Sequence, residues 1–134
     1  MLIKIHQMRK KEGGQALAEL ALILPILLMI LFGIIEFGRV FNAYLAVNHA
    51  SREGARLGIV GATDIEITEN VKNAAGTLNQ DYLTVTISPS TTYRERGASI
   101  VVTVDYDIPL YTPFVGSFIQ NPYPISGSTV MRLE

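Results

Sequence analysis

The feature that most constrains the fold is an apolar run near the N-terminus, ALAELALILPILLMILFGII, at residues 16–35. It contains one charged residue, Glu19, and the next charge is Glu36. A helix of this length spans about 30 Å, the hydrocarbon thickness of a bilayer. Burying a helix that is apolar on all faces requires a large protein, and 134 residues are too few. The run therefore predicts a transmembrane helix rather than a core helix.

A short basic segment, residues 1–14, precedes the run. It carries Lys4, Arg9, Lys10 and Lys11 against a single acidic residue, Glu12. Basic residues stay on the cytoplasmic side of a span, so we expect a cytoplasmic N-terminus and an exported C-terminal part. Residues 13 and 14 are both glycine, and because glycine costs about 1 kcal/mol in a helix interior, they are predicted to break any continuing helix.

Beyond the span, the pattern predicts that the same helix continues from Gln15 to about Leu57. One stripe of this second half is large and apolar: Phe37, Val40, Phe41, Tyr44 and Leu45. Another stripe is small and recurs every four residues, which would allow another backbone to approach: Ala46, Ala50, Gly54 and Gly58. Glu36 and Arg39 are expected to form a solvated pair at the outer membrane boundary.

The remaining residues predict a small α+β domain. Gly58 and Gly61 end the long helix, and Thr63 with Glu66 forms a capping box for a short second helix. Alternating apolar residues predict strands at 83–88 and 100–107, with a third at 126–133 and an irregular, proline-containing connection at 108–125. The expected organisation is a leader at 1–14, a helix at 15–60 and an exported domain at 61–134.

Composition excludes several classes of function. Cysteine is absent, which rules out disulfides and thiolate chemistry, and the net charge of −1 gives no basis for nucleic-acid binding. His49 is the one histidine after the leader, and no phosphate loop, G-x-S-x-G or metal-ligand cluster occurs. Asp105 and Asp107 share a strand face, but two carboxylates alone do not make a cation site. The sequence predicts no enzyme, no cofactor and no metal.

The glycines lie before the apolar run, whereas an ordinary secretory signal is cut after it. Gly14-Gln15-Ala16-Leu17-Ala18-Glu19 followed by an apolar run resembles the type IV prepilin signal. The longer stretch GQALAELALILPILLMILFGIIEFGR is similar to the N-terminal signature of the TadE-like family, pseudopilins of the tight-adherence (Flp-type) pilus. Residues 50–56 and 128–134 also resemble segments of that family. Leu20 departs from it, because Tad prepilins often carry an aromatic residue there.

The resemblance implies cleavage by a prepilin peptidase between Gly14 and Gln15, with Glu19 at the fifth mature position. It implies a structural role in the bacterial inner membrane or the surface pilus. The implied partners are other pilins or pseudopilins, the assembly platform and membrane lipid, with a minor rather than a major subunit favoured by the chain length. The alternative is an uncleaved single-pass envelope protein whose exported domain binds a ligand or an assembly machine.

Two residues of the span have expected roles of their own. Glu19 would pair with the α-amine that cleavage creates on Gln15, because residues four apart share a helix face. Pro25 removes the backbone hydrogen bond to the carbonyl of Ala21 and is predicted to bend the span.

Overall fold

The fold is α+β, as the sequence predicts. A computed structural model describes residues 2–112 and 115–133, with side chains from residue 13 onward. Two α-helices precede a three-stranded antiparallel sheet of order β1-β2-β3. The elements are α1 Leu2–Ile59, α2 Asp64–Ala74, β1 Leu83–Ser88, β2 Ser99–Ile108 and β3 Tyr123–Arg132, with single 3-10 turns at Gln80–Tyr82, Thr91–Tyr93 and Val115–Ser117.

Helix α1 is longer than predicted because Gly13 and Gly14 do not interrupt it. The prediction of a break there was wrong. Two glycines together cost a helix about 2 kcal/mol, and the good helix formers on both sides, such as Lys11 and Gln15, offset that cost. The helix ends at Ile59, close to the expected end, and Gly61 adopts the left-handed conformation (φ +88°) that a side chain would strain.

The chain divides into two compact units, Met1–Glu36 and Phe37–Glu134. In the first unit the described side chains from residue 13 to Ile35 lie on a single helix and are exposed or, at Gly33, half-buried. The second unit contains the C-terminal part of α1 together with α2 and the sheet. Residues 37–59 therefore fold with the domain rather than outside it.

The core of the second unit forms where α1 meets the sheet and α2. Its fully buried side chains come from all three: Val47 and Ala50 of α1, Ile67 and Val71 of α2, and Ile100, Val102 and Val104 of β2. Burial alternates along β2, which pairs with β1 from Leu83↔Tyr106 to Ser88↔Val101 and with β3 from Ser99↔Arg132 to Ile108↔Tyr123.

The capping box of α2 is confirmed. The Thr63 hydroxyl accepts a hydrogen bond from the Glu66 backbone N–H at 3.3 Å, and the Glu66 carboxylate accepts one from the Thr63 backbone N–H at 2.8 Å. The apolar face of the helix is also confirmed, because Ile67 and Val71 are its buried residues.

Strand β3 begins at Tyr123, three residues before the predicted start, and it includes Pro124. Proline lacks an N–H for the ladder and is tolerated at the start of an edge strand. β3 is such an edge strand, and Pro124 is its second residue, opposite Asp107. The proline therefore does not exclude strand structure at this point.

Candidate functional site

The residues expected to carry processing and assembly lie on the first unit of α1. Gly14, Gln15 and Glu19 are exposed. A Cβ atom added to Gly13 or Gly14 would meet nothing within 4 Å in the part of the chain that the structure describes. Packing inside this chain therefore gives no reason for glycine at either position.

Gln15 and Glu19 are in contact. The Gln15 side-chain amide, through Nε2, donates a hydrogen bond to Glu19 Oε1 at 3.1 Å. The spacing of four residues places both side chains on one face of the helix, as the sequence predicts. The Glu19 carboxylate is therefore within reach of polar groups on residue 15.

The apolar run that follows Glu19 in the chain is suited to a membrane. By length and composition, Gly13–Ile59 contains a segment that can cross a bilayer, and only 6% of that segment is buried. The exposed side chains are large and lie on all sides of the helix, Leu22, Ile26, Met29 and Ile34 among them. Such a surface needs an apolar environment, because each exposed Å² of apolar surface costs about 25 cal/mol in water.

Pro25 lies inside this segment, and α1 is continuous through it. Its ring removes one backbone donor, so the carbonyl of Ala21 loses its helical partner. Bending at this position remains a prediction.

The second half of α1 packs through its small residues and Val47 rather than through its large aromatic residues. Phe37 is 71% exposed, and Phe41, Tyr44 and Leu45 are about half exposed, so their stripe is not the packing face. Ala50, Gly54 and Gly58 are buried. A Cβ on Gly54 would lie 2.5 Å from Val71 Cγ2, which explains the small residue by close packing within the domain.

The close backbone approach occurs at a residue that the sequence analysis did not identify. A Cβ on Gly127 of β3 would lie 3.2 Å from the backbone N and Cα of Asn48. One turn along the helix, the buried Ser51 hydroxyl hydrogen-bonds the Thr129 hydroxyl at 2.8 Å. The sequence signal for this contact is weak: a glycine in the middle of a strand pattern, which often marks close backbone approach.

The Arg39 side chain is partly buried rather than solvated. Its guanidinium donates a hydrogen bond to the Pro109 carbonyl at 3.2 Å and lies 4.6 Å from the centre of the Tyr111 ring. Glu36 is buried, so the expectation of a solvated pair was wrong. The reason is the connection between β2 and β3, which approaches the helix here and which no local pattern reveals.

A polar cluster at the other end of the domain was also missed. Arg94, whose side chain is only 7% exposed, forms an ion pair with Asp64 and donates to the carbonyls of Ala62 (2.6 Å) and Pro89 (3.2 Å). Asp64 also accepts a hydrogen bond from the Thr91 backbone N–H at 3.0 Å. These contacts attach the β1–β2 connection to the start of α2 and hold it in place.

Among the described residues of the second unit, the titratable side chains that the sequence analysis named do not come together. His49 is exposed on α1, and Asp105 and Asp107 have no third ligand. Within the described residues, no group of three or more His, Asp or Glu side chains could hold a metal ion. The absence of enzymatic activity and of cofactors remains a prediction.

Comparison with protein families gives a match over residues 14–56 to the family described as TadE-like protein. No curated protein and no solved structure matches the chain significantly. The matched residues begin at Gly14, include the whole apolar run and end on the exposed face of α1 at Arg56. This segment is consistent with the TadE-like family, whose N-terminal signature the sequence resembles.

Proposed function

We propose that the chain is a minor pilin or pseudopilin of a tight-adherence type IV pilus, processed by a prepilin peptidase after Gly14. The TadE-like family is a pilus-related structural family, and its match begins at that glycine. One observation carries the proposal: within α1 an exposed apolar run begins directly after Gly14 and Gln15, and it includes a glutamate that residue 15 contacts.

Cleavage needs a locally extended backbone. The helix continues through Gly13 and Gly14, but each glycine makes it easier to unwind by about 1 kcal/mol relative to alanine. Both positions are also open, since the described residues leave the space around them empty. These properties support a peptidase site between Gly14 and Gln15.

Glu19 then serves assembly. A carboxylate at the bilayer centre costs about 2.5–3.5 kcal/mol; Glu19 is the fourth residue of the run, so its cost is smaller, but inside an apolar segment a carboxylate still favours a partner. Cleavage would create an α-amine on Gln15, one helical turn away, and the existing Gln15–Glu19 hydrogen bond supports their reach. The same amine on a neighbouring subunit would be an equivalent partner, which would favour docking of one pilin against another.

The proposed site of action is the bacterial inner membrane and the pilus that grows from it. The helix crosses the membrane once, with the basic N-terminus in the cytoplasm and residues from about 61 onward outside. Besides the peptidase, the partners are other pilins or pseudopilins, the assembly platform and membrane lipid. A reporter that works only after export should be active when fused after Glu134, and a cytoplasm-only reporter should be inactive there.

Mass spectrometry of the protein from membranes and from sheared filaments tests processing. The expected chain begins at Gln15. Gly14→Ala should slow cleavage, whereas Gly13→Ala is the matched control, because it strengthens the helix equally but does not change the residue before the cut bond. Recovery of only the intact chain from cells with an active peptidase would favour the alternative, an uncleaved envelope protein whose exported domain binds a ligand or an assembly machine.

Glu19→Gln tests the assembly role. The variant keeps the shape of the side chain but loses its charge, so it should be processed and inserted yet absent from filaments. Glu69→Gln makes the same change on the exposed surface of α2 and should assemble normally. Normal piliation by the Glu19 variant would remove the assembly role.

A further inference from the structure

The end of the domain at which the chain enters it, at Phe37, carries a concentration of exposed aromatic residues. Helix α1 contributes Phe37, Phe41 and Tyr44, which line an apolar groove together with Tyr123 at the start of β3. The rings of Phe37 and Phe41 stack with centroids 6.2 Å apart. We call this surface, together with Tyr111 and Phe118 of the neighbouring loop, the aromatic end.

The loop is the connection between β2 and β3. Asn121 closes it, because its side chain accepts a hydrogen bond from the Leu110 N–H and donates one to the Leu110 carbonyl, both at 3.1 Å. Leu110 is buried in the core, and Arg39 holds the start of the loop against α1. Surface loops with joined ends and internal anchors of this kind are often functional.

The largest exposed side chains of this loop are aromatic or aliphatic, and the smaller polar residues Ser117 and Gln120 are exposed between them. Phe118 is 88% exposed, and Tyr111 and Ile119 are also largely or half exposed. Residues 108–125 contain no charged residue, whereas the β1–β2 connection contains Arg94, Glu95 and Arg96. The two connections leave β2 at opposite ends, about 30 Å apart for a strand of 10 residues. The domain therefore has an aromatic end, whose loop is uncharged although the exposed Asp107 directly precedes it, and a charged end at the β1–β2 connection.

The aromatic end contains the residues that directly follow the apolar run along the chain. At 1.5 Å per residue, Phe37 and Phe41 lie about 3 and 9 Å beyond Ile35 along the same helix. The headgroup layer of one leaflet is about 5–8 Å thick. Aromatic side chains, tyrosine above all, favour this layer, where an apolar ring and a polar edge are both accommodated.

We infer that the aromatic end is a membrane-interface surface, which seats the β2–β3 loop and the first turn of the domain, at Phe37, in the headgroup layer of the outer leaflet. The occupant is lipid because the surface begins two residues after the apolar run in the chain, carries no charge on its loop and presents aromatic residues from two separate segments. The inference rests on the proposed membrane span, but not on cleavage or piliation.

The chain contains no tryptophan, so single substitutions report on one site each. The full chain would be reconstituted in phosphatidylcholine–phosphatidylglycerol vesicles containing lipid brominated high on the acyl chain. Phe118→Trp reports on the aromatic end. Tyr93→Trp is the matched control, because Tyr93 is 76% exposed in a similar 3-10 turn at the charged end. Leu28→Trp reports on the span itself.

The expected result is severalfold stronger bromine quenching and a blue-shifted emission for Phe118→Trp compared with Tyr93→Trp. Equal, weak quenching of both, with strong quenching of Leu28→Trp, would overturn this inference and leave the span intact. Failure of lipid to quench Leu28→Trp would overturn both. The emission of Phe118→Trp could instead shift to the blue as the protein-to-lipid ratio rises, without quenching by the brominated lipid. That result would identify a second copy as the occupant and overturn the lipid assignment.

Discussion

Gly54→Ala should destabilise the domain although it improves the helix. Gly54 lies in the buried face of α1, where a Cβ would come within 2.5 Å of Val71 Cγ2 and 3.1 Å of Val102 Cγ1. Both neighbours are fully buried, and valine has little freedom to turn away. Either α1 or α2 must therefore shift.

The magnitude follows from two opposing effects. Adding a methyl group to a packed core typically costs about 1–3 kcal/mol, while replacing glycine by alanine in a helix contributes about 1 kcal/mol in the other direction. Gly38→Ala isolates the second effect, because Gly38 lies in the same helix, is exposed, and has nothing within 4 Å of its Cβ position in the described structure. The difference between the two variants should equal the packing cost, about 1–3 kcal/mol.

Urea unfolding of the detergent-solubilised protein measures this difference. The six tyrosines lie between Tyr44 and Tyr123, so near-UV circular dichroism reports on the domain rather than on the span. Gly54→Ala should lower the midpoint relative to Gly38→Ala at an unchanged m-value. A Gly54→Ala protein as stable as the Gly38→Ala protein would refute the packing of α1 against Val71 and Val102.

Three further predictions concern other parts of the chain. Hydrogen bonds from the Thr63 backbone N–H and hydroxyl lower the pKa of Glu66 from its usual value of 4.5. The stabilisation that these bonds give α2 is therefore present above pH 4.5 and is lost as the pH falls through the lowered pKa. Glu66→Gln should reduce this loss of stability at acid pH, measured as the urea midpoint at each pH. Arg94→Ala should cost about 2 kcal/mol in the same unfolding assay, because it removes hydrogen bonds from a buried guanidinium, whereas the exposed Arg96→Ala should change little. If Pro25 bends the span, Pro25→Ala should lengthen the distance between spin labels placed on cysteines at residues 18 and 32. The same distance in both proteins, near the straight-helix value of about 21 Å, would exclude the bend.

Local signals in the sequence were reliable where a short pattern dictates structure. The Thr63–Glu66 box gave the start of α2, and the alternation around Val102 and Val104 gave β2, because capping and strand burial depend on residues close in the chain. The prediction of a helix break at Gly13 and Gly14 was wrong because the helix propensity of two residues is a small free energy. The remaining residues of a long helix exceed that cost.

The face on which α1 packs could not be read from the pattern. The large stripe with Phe41 and Tyr44 satisfies the helical period as well as the small stripe with Ala50 and Gly54 does. Which stripe is buried depends on how closely the sheet approaches, and that distance is set by Gly127 and by the side chains of Val71 and Val102. The aromatic stripe is consequently exposed and forms part of the aromatic end.

The sequence by itself determined the apolar helix, its basic flank and the Gly14–Glu19 motif, because hydrophobic length, charge and spacing along one helix are local properties. Only the tertiary structure decided that Arg39 holds the β2–β3 loop, that Arg94 holds the β1–β2 connection and that the aromatic residues gather at one end. Each of these contacts joins residues at least 30 positions apart, and whether such residues meet is fixed by strand register and helix packing rather than by the neighbours of either residue.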